Sequence, residues 1–152
     1  MSWIRMEIVS LDWCSVKSSI KLLADKVVAE RPEVVVAVGS GGLVVAGVIS
    51  RLIGVRDVRV MSVRKYSDDK PPRQVEASPI IEHDNTGDVV GKRVLLVDDF
   101  SSTGETLERA RGYLYEKGAS GVVTCSLVAK ETGRRPDHYA LAVSGCVVFP
   151  WE

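Results

Sequence analysis

The chain has 152 residues, 45% of them hydrophobic and 26% charged, which suits one globular domain with a sizeable core. Lys plus Arg and Asp plus Glu both number 20, so the net charge is zero and nothing in the balance points to a nucleic-acid or membrane-surface partner. No apolar run is long enough to span a bilayer, and the N-terminal stretch lacks a secretory pattern. Cys14, Cys125 and Cys146 have no CxxC spacing and read as reduced thiols of a cytoplasmic protein, not a disulfide framework or a zinc site. Gln74 and Asn85 are the only side-chain amides, a composition associated with thermophilic sources.

In chain order, the apolar alternation from Trp3 to Ile8 predicts a short edge strand. Asp12 or Ser15 can cap a helix over 14–30, with Val16, Ile20, Leu23 and Val27 at helical spacing and Arg31-Pro32 as its stop. Val34 to Val38 reads as a strand buried on both faces. It runs into Gly39-Ser40-Gly41-Gly42 and a helix over 43–53 closed by Gly54. A strand, a glycine turn and a helix N-terminus together make an anion site; the same residues also read as a plain βα turn. The spacing does not fit GxGxxG, so no dinucleotide fingerprint is present. Val58 to Val63 is a third strand. Residues 64–88 are polar, contain Pro71, Pro72 and Pro79, and are too long for an ordinary connection, which predicts a flexible loop.

Residues 94–106, VLLVDDFSSTGET, are the most informative stretch. Val94 to Val97 forms a buried strand, and Asp98 and Asp99 follow at its C-terminal end. Ser101, Ser102, Thr103 and Gly104 then lead into a helix over 104–117 that ends at Gly118. Val122 to Ala129 is the next strand. Such alternation predicts an α/β fold, a parallel sheet with helices on both faces, over a single 1–152 domain. Ligands of these sheets bind at the carboxyl ends of the strands, where Ser40, Asp98, Asp99 and Lys130 all fall.

The block has a definite chemistry. Unpaired N–H groups at a helix N-terminus, a glycine that lets the backbone approach, and nearby hydroxyls make a phosphate cradle. Two carboxylates beside it would repel phosphate but accept hydrogen bonds from ribose hydroxyls, or bind a divalent cation. Together they describe a site for a 5-phosphorylated ribose.

The block resembles the phosphoribosyl diphosphate (PRPP) signature of the type I phosphoribosyltransferases, and the chain is similar to their purine members, the xanthine-guanine and hypoxanthine-guanine enzymes. The resemblance implies a Rossmann-like sheet, a flexible loop at about 64–88 and a small C-terminal hood at about 130–152. It implies transfer of the phosphoribosyl group to a 6-oxopurine in purine salvage, with Mg²⁺ and with PRPP and a nucleobase as substrates. It also implies a homodimer or homotetramer, for which an exposed Trp3 or Trp151 is suited. Asp98 and Asp99 take the ribose hydroxyls, and Asp99 with Glu152 the metal. Ser40, Gly41, Gly42 and Arg73 take the pyrophosphate, and Ser101, Ser102, Thr103, Gly104, Glu105 and Thr106 the 5-phosphate. Lys130, Cys146 and Val147 form the base site, where an ammonium, a pure donor, selects a 6-oxo group.

The chain departs from the family pattern at three positions. Ser40 stands where purine members often carry Arg, Ser102 where they carry a catalytic Asp, and Cys146 where an aromatic stacks on the base. A hydroxyl is a poor general base near neutral pH. Tyr139 or Phe149 could restore stacking, and Trp151 reads equally as core, interface or ligand contact. Two alternatives stay open: a non-catalytic PRPP- or nucleotide-binding regulator, and an enzyme for adenine or a pyrimidine.

Overall fold

The computed structural model describes residues 7–64 and 78–152. Strand Ile8–Ser10 (β1) comes first, followed by helix Trp13–Val27 (α1). The Asp12 carboxylate caps α1 by accepting from the Ser15 N–H at 2.7 Å. A 3₁₀ turn, Val28–Glu30, ends it, and Arg31 leaves with φ 49° ahead of Pro32. Then come Val34–Val38 (β2), Gly39–Ile53 (α2), Val58–Arg64 (β3), Ile80–Asn85 (β4), Arg93–Ser101 (β5) and Glu105–Glu116 (α3). Gly121–Lys130 (β6), His138–Val143 (β7) and Cys146–Val148 (β8) complete the chain.

Six strands form one sheet in the order β4-β3-β2-β5-β6-β7, parallel throughout except for the antiparallel edge pair β3–β4. Strand β2 is buried along its whole length, so successive valines feed opposite cores. Val35 and Ala37 join Leu95, Val97 and Leu127 beneath α1 and α2. Val34, Val36 and Val38 join Leu96 and Met61 beneath Leu107, Ala110 and Leu114 of α3. The helices therefore cover both faces, as the βα alternation predicted. No helix among the described residues is long and apolar enough to cross a membrane.

Among the described residues the first strand is Ile8–Ser10, and it pairs with the short β8 rather than joining the main sheet; the rest of the Trp3 to Ile8 expectation lies outside the described residues. Three expectations are corrected. Helix α2 starts at Gly39 rather than 43, so Ser40, Gly41 and Gly42 form its first turn instead of a free loop. The stretch 64–88 is not all loop, since it contains β4. That edge strand is mostly exposed and polar, so it shows no burial pattern in the sequence. It is held to α3 by Asp84, which accepts from the Tyr113 hydroxyl at 2.5 Å and from Lys117 Nζ at 2.9 Å. Finally, β7 pairs with β6 in the main sheet, so the expected hood narrows to β8, paired with β1, and the residues after it.

Candidate active site

Strand β5 continues through the acidic pair because Asp98, Phe100 and Ser101 keep their register with Ser126, Val128 and Ala129 of β6. Both carboxylates are thus fixed on a paired strand at the carboxyl edge of the sheet. Each is braced by the backbone that follows: Asp99 N–H donates to Asp98 Oδ1 at 2.8 Å, and Phe100 N–H to Asp99 Oδ1 at 2.7 Å. Burial, and then the charge of Asp99 beside it, push the Asp98 carboxyl well above the usual carboxylate range. Such a site gains from ligands that supply hydroxyl donors or positive charge.

Two cavities meet at this pair. One, of about 370 Å³, is lined by Ser40, Gly41, Val44, Asp99, Trp151 and Glu152. The other, of about 170 Å³, has Asp98 and Phe100 on its wall, and its floor is the run Ser101 to Gly104 with Thr106 and Leu107. One carboxylate therefore opens on each cavity. A larger groove of about 600 Å³ at the far end of α2, lined by Gly47, Arg51, Gly54 and Arg56, lies away from the strand ends.

The first cavity depends on close packing of α2 against β5. A Cβ on Gly41 would sit 2.0 Å from Asp99 Oδ2, so the carboxylate occupies the space a side chain would fill. A Cβ on Gly42 would sit 2.7 Å from the Val97 carbonyl oxygen, so Gly42 seats the helix on the strand backbone. Trp151 forms the opposite wall. It stacks on the buried Phe149 with ring centroids 4.6 Å apart and meets Trp13 at 6.0 Å.

The second cavity has the features of an anion cradle. Gly104, at φ 89°, turns the chain into α3 without a capping side chain, which leaves the positive end of the helix facing the loop. Ser101 Oγ is buried there without a hydrogen-bond partner. A buried hydroxyl left unpaired is costly, and a phosphate oxygen entering the cradle would satisfy it.

The geometry thus brings together Ser40, Gly41, Asp99 and Glu152 around one cavity and Asp98, Ser101, Ser102, Thr103, Gly104 and Thr106 around the other. Gly42 is packing, and Glu105 opens α3 with its N–H on Thr103 Oγ1 at 3.3 Å. Lys130 ends β6 half-buried, outside both linings; Cys146 and Val147 sit on β8 opposite Ile8 and Val9, also outside them. Arg73 and Trp3 lie outside the described residues. Tyr139 is engaged elsewhere, accepting from Arg135 at 2.9 Å. Val44, Phe100 and Leu107 were not anticipated, because apolar lining residues carry no local signal. Among the described residues no group of three or more His, Cys, Asp or Glu could hold a metal alone. Asp99 and Glu152 share a cavity wall, which suits Mg²⁺ bound by one or two carboxylates together with substrate oxygens.

The fold is a mostly parallel sheet with an acidic pair at its carboxyl edge, one member on the wall of each cavity. The phosphoribosyl transferase domain matches residues 13–152, and the chain belongs to that family. It is 31% identical to a xanthine-guanine phosphoribosyltransferase of Cereibacter sphaeroides, over 93% of this chain and 85% of that protein. The crystal structure of a purine phosphoribosyltransferase from Pyrococcus horikoshii is 32% identical, with a TM-score of 0.82 over 97% of this chain and 95% of that one. A transcriptional regulator, GfcR of Methanocella arvoryzae, is 26% identical over 80% of this chain and 64% of its own length.

Proposed function

We propose that this protein transfers the 5-phosphoribosyl group of PRPP to a purine, with a 6-oxopurine as the base. The observation that carries the proposal is the Asp98–Asp99 pair standing between the anion cradle and the cavity closed by Trp151 and Glu152. In the reaction the bond from ribose C1 to pyrophosphate breaks, a bond from C1 to purine N9 forms, and the N9 proton is released. The likeness to purine phosphoribosyltransferases over nearly the whole chain supports this reading.

The residues take the following roles. The 5-phosphate sits at the N-terminus of α3, on the hydroxyls of Ser101, Thr103 and Thr106 and the backbone around Ser102, Gly104 and Glu105. Asp98 and Asp99 accept hydrogen bonds from the ribose hydroxyls. Positive charge that develops on the sugar as pyrophosphate departs is stabilised by these carboxylates, which are already in place. Pyrophosphate lies over the first turn of α2 at Ser40 and Gly41, with Arg73 as its side-chain cation. When bound, Mg²⁺ supplies charge neutralisation for the leaving group; Asp99 and Glu152 would hold it. Ser102 donates a hydrogen bond to the base at N7, Lys130 donates to its 6-oxo oxygen, and Cys146 and Val147 border it. A cytoplasmic homo-oligomer completes the proposal.

A non-catalytic sensor is the second reading, favoured by Ser102 where family enzymes carry Asp and by the likeness to GfcR. Pyrophosphate release from PRPP and Mg²⁺ with guanine, hypoxanthine, xanthine, adenine, uracil or orotate separates the readings. Turnover confined to the 6-oxopurines supports the enzyme. Turnover with adenine or a pyrimidine overturns the base assignment. PRPP binding without turnover on any base favours the sensor.

A further inference from the structure

The segment between β6 and β7, residues 131–137, lies directly on the cradle loop. A Cβ on Gly133 would fall 1.7 Å from the Ser102 carbonyl oxygen, and one on Gly104 would fall 2.5 Å from the Arg134 carbonyl oxygen. The Arg134 N–H donates to the Thr103 carbonyl at 3.1 Å. Two backbones therefore cross with glycine facing the neighbour from each side. The two segments are packed backbone to backbone, so a shift of one must displace the other.

The strap is fastened at its far end. Asp137 Oδ2 accepts from the Thr124 N–H at 3.0 Å and from Arg111 at 2.9 Å, while the Asp137 N–H donates to Thr124 Oγ1 at 3.1 Å. Arg111 also donates to Thr124 Oγ1 at 2.9 Å and pairs with Glu108 at 3.6 Å. Arg134 closes the circuit on Glu108 at 3.5 Å. Thr124 is fully buried, so the fastening is anchored in the sheet. Arg111 and Glu108 both belong to α3, the helix whose N-terminus forms the cradle.

We propose that Gly133, Arg111 and Asp137 are positioning residues for the 5-phosphate: they hold the 131–137 strap on the cradle loop and so preorganise its N–H and hydroxyl donors. The inference rests on the phosphoribosyl reading of the site. It assigns the strap to one half of the substrate only, because the pyrophosphate half lies across the sheet edge at α2. None of the three residues lines either cavity, so each acts through the loop. Donor groups misplaced by about 1 Å can lose on the order of a hundredfold.

The test uses ribose 5-phosphate and Mg²⁺-pyrophosphate as separate probes of the full chain, by calorimetry, alongside the KM for PRPP. Gly133→Ala should weaken ribose 5-phosphate binding about tenfold or more and raise the PRPP KM in parallel, with pyrophosphate binding within about twofold. Arg111→Met should act in the same direction, and Arg111→Lys, which keeps charge but not the forked geometry, should recover part of the loss. Equal weakening of both probes, or unchanged ribose 5-phosphate binding in a folded Gly133→Ala protein, would overturn the proposal. If Gly133→Ala does not fold, the Arg111 pair decides by the same split. Failure of the unmodified protein to bind either probe would instead overturn the phosphoribosyl reading itself.

Discussion

Gly41→Ala is the sharpest perturbation of the proposed ribose site. The added Cβ would lie 2.0 Å from Asp99 Oδ2 and 2.6 Å from its Cγ, so the carboxylate must retreat by about 1 Å to reach even a tight 3.0 Å contact. The atom that must move is the end of a side chain, not backbone, so the fold should tolerate the change. A catalytic group displaced by about 1 Å costs on the order of a hundredfold in rate, or about 2.7 kcal/mol of transition-state stabilisation. We expect kcat/KM for PRPP to fall by about that factor while the melting temperature moves by no more than a few degrees. Gly42→Ala is the internal control. Its Cβ meets the Val97 carbonyl oxygen at 2.7 Å and the Asp98 Cα at 3.2 Å, both backbone, so it should lower stability as well as activity. Steady-state kinetics and thermal melts on the two variants check both statements. Full activity in Gly41→Ala would refute the reasoning, because Asp99 could then move freely without consequence.

Other outcomes follow from the same geometry. Asp98→Asn should abolish most turnover yet raise stability near neutral pH. The native Asp98 carboxyl is pushed upward, so the folded state holds its proton as pH climbs through the ordinary carboxylate range while the unfolded state releases it. The advantage of Asn should therefore shrink toward pH 4 and below, and melts at several pH values read it. Asp84 behaves oppositely. Burial pushes its carboxyl up, but hydrogen bonds from Thr86, Tyr113 and Lys117 more than offset this and hold it well below the usual range. Its stabilisation is present at neutral pH and lost in acid, and Asp84→Asn should cost about 1–3 kcal/mol in denaturant titrations. With a thiol reagent, Cys14 and Cys146, both exposed, should react in the native protein. Cys125 is fully buried, with burial pushing its thiol up, and should react only on unfolding.

The parts of the fold legible in the sequence are those in which one local rule acts alone. Strands β2 and β5 are continuous apolar runs because both faces are covered, and Gly54 closes α2 in the left-handed conformation at φ 76°. Strand β4 was hidden because an exposed antiparallel edge needs no apolar face. Strand β7 was hidden because it follows β6 after only a short strap, without the crossover helix that usually announces a parallel strand. In the site, Asp98 to Thr106 could be read because a carboxylate pair, hydroxyls and a glycine are contiguous. Trp151 could be weighed but not placed, and Gly133 carried no signal. Their parts depend on which distant backbone lies opposite, and that is set only when the sheet order brings β5 beside β2 and β6.

The most direct test of the central claim is formation of nucleoside monophosphate from PRPP, Mg²⁺ and guanine, hypoxanthine or xanthine, compared between the unmodified protein and Asp99→Asn. The account predicts turnover with at least one of these bases and loss of most of it in a variant that melts like the unmodified protein. Equal turnover in the two proteins would remove Asp99 from the mechanism. No turnover by the unmodified protein on any base would contradict the transferase reading.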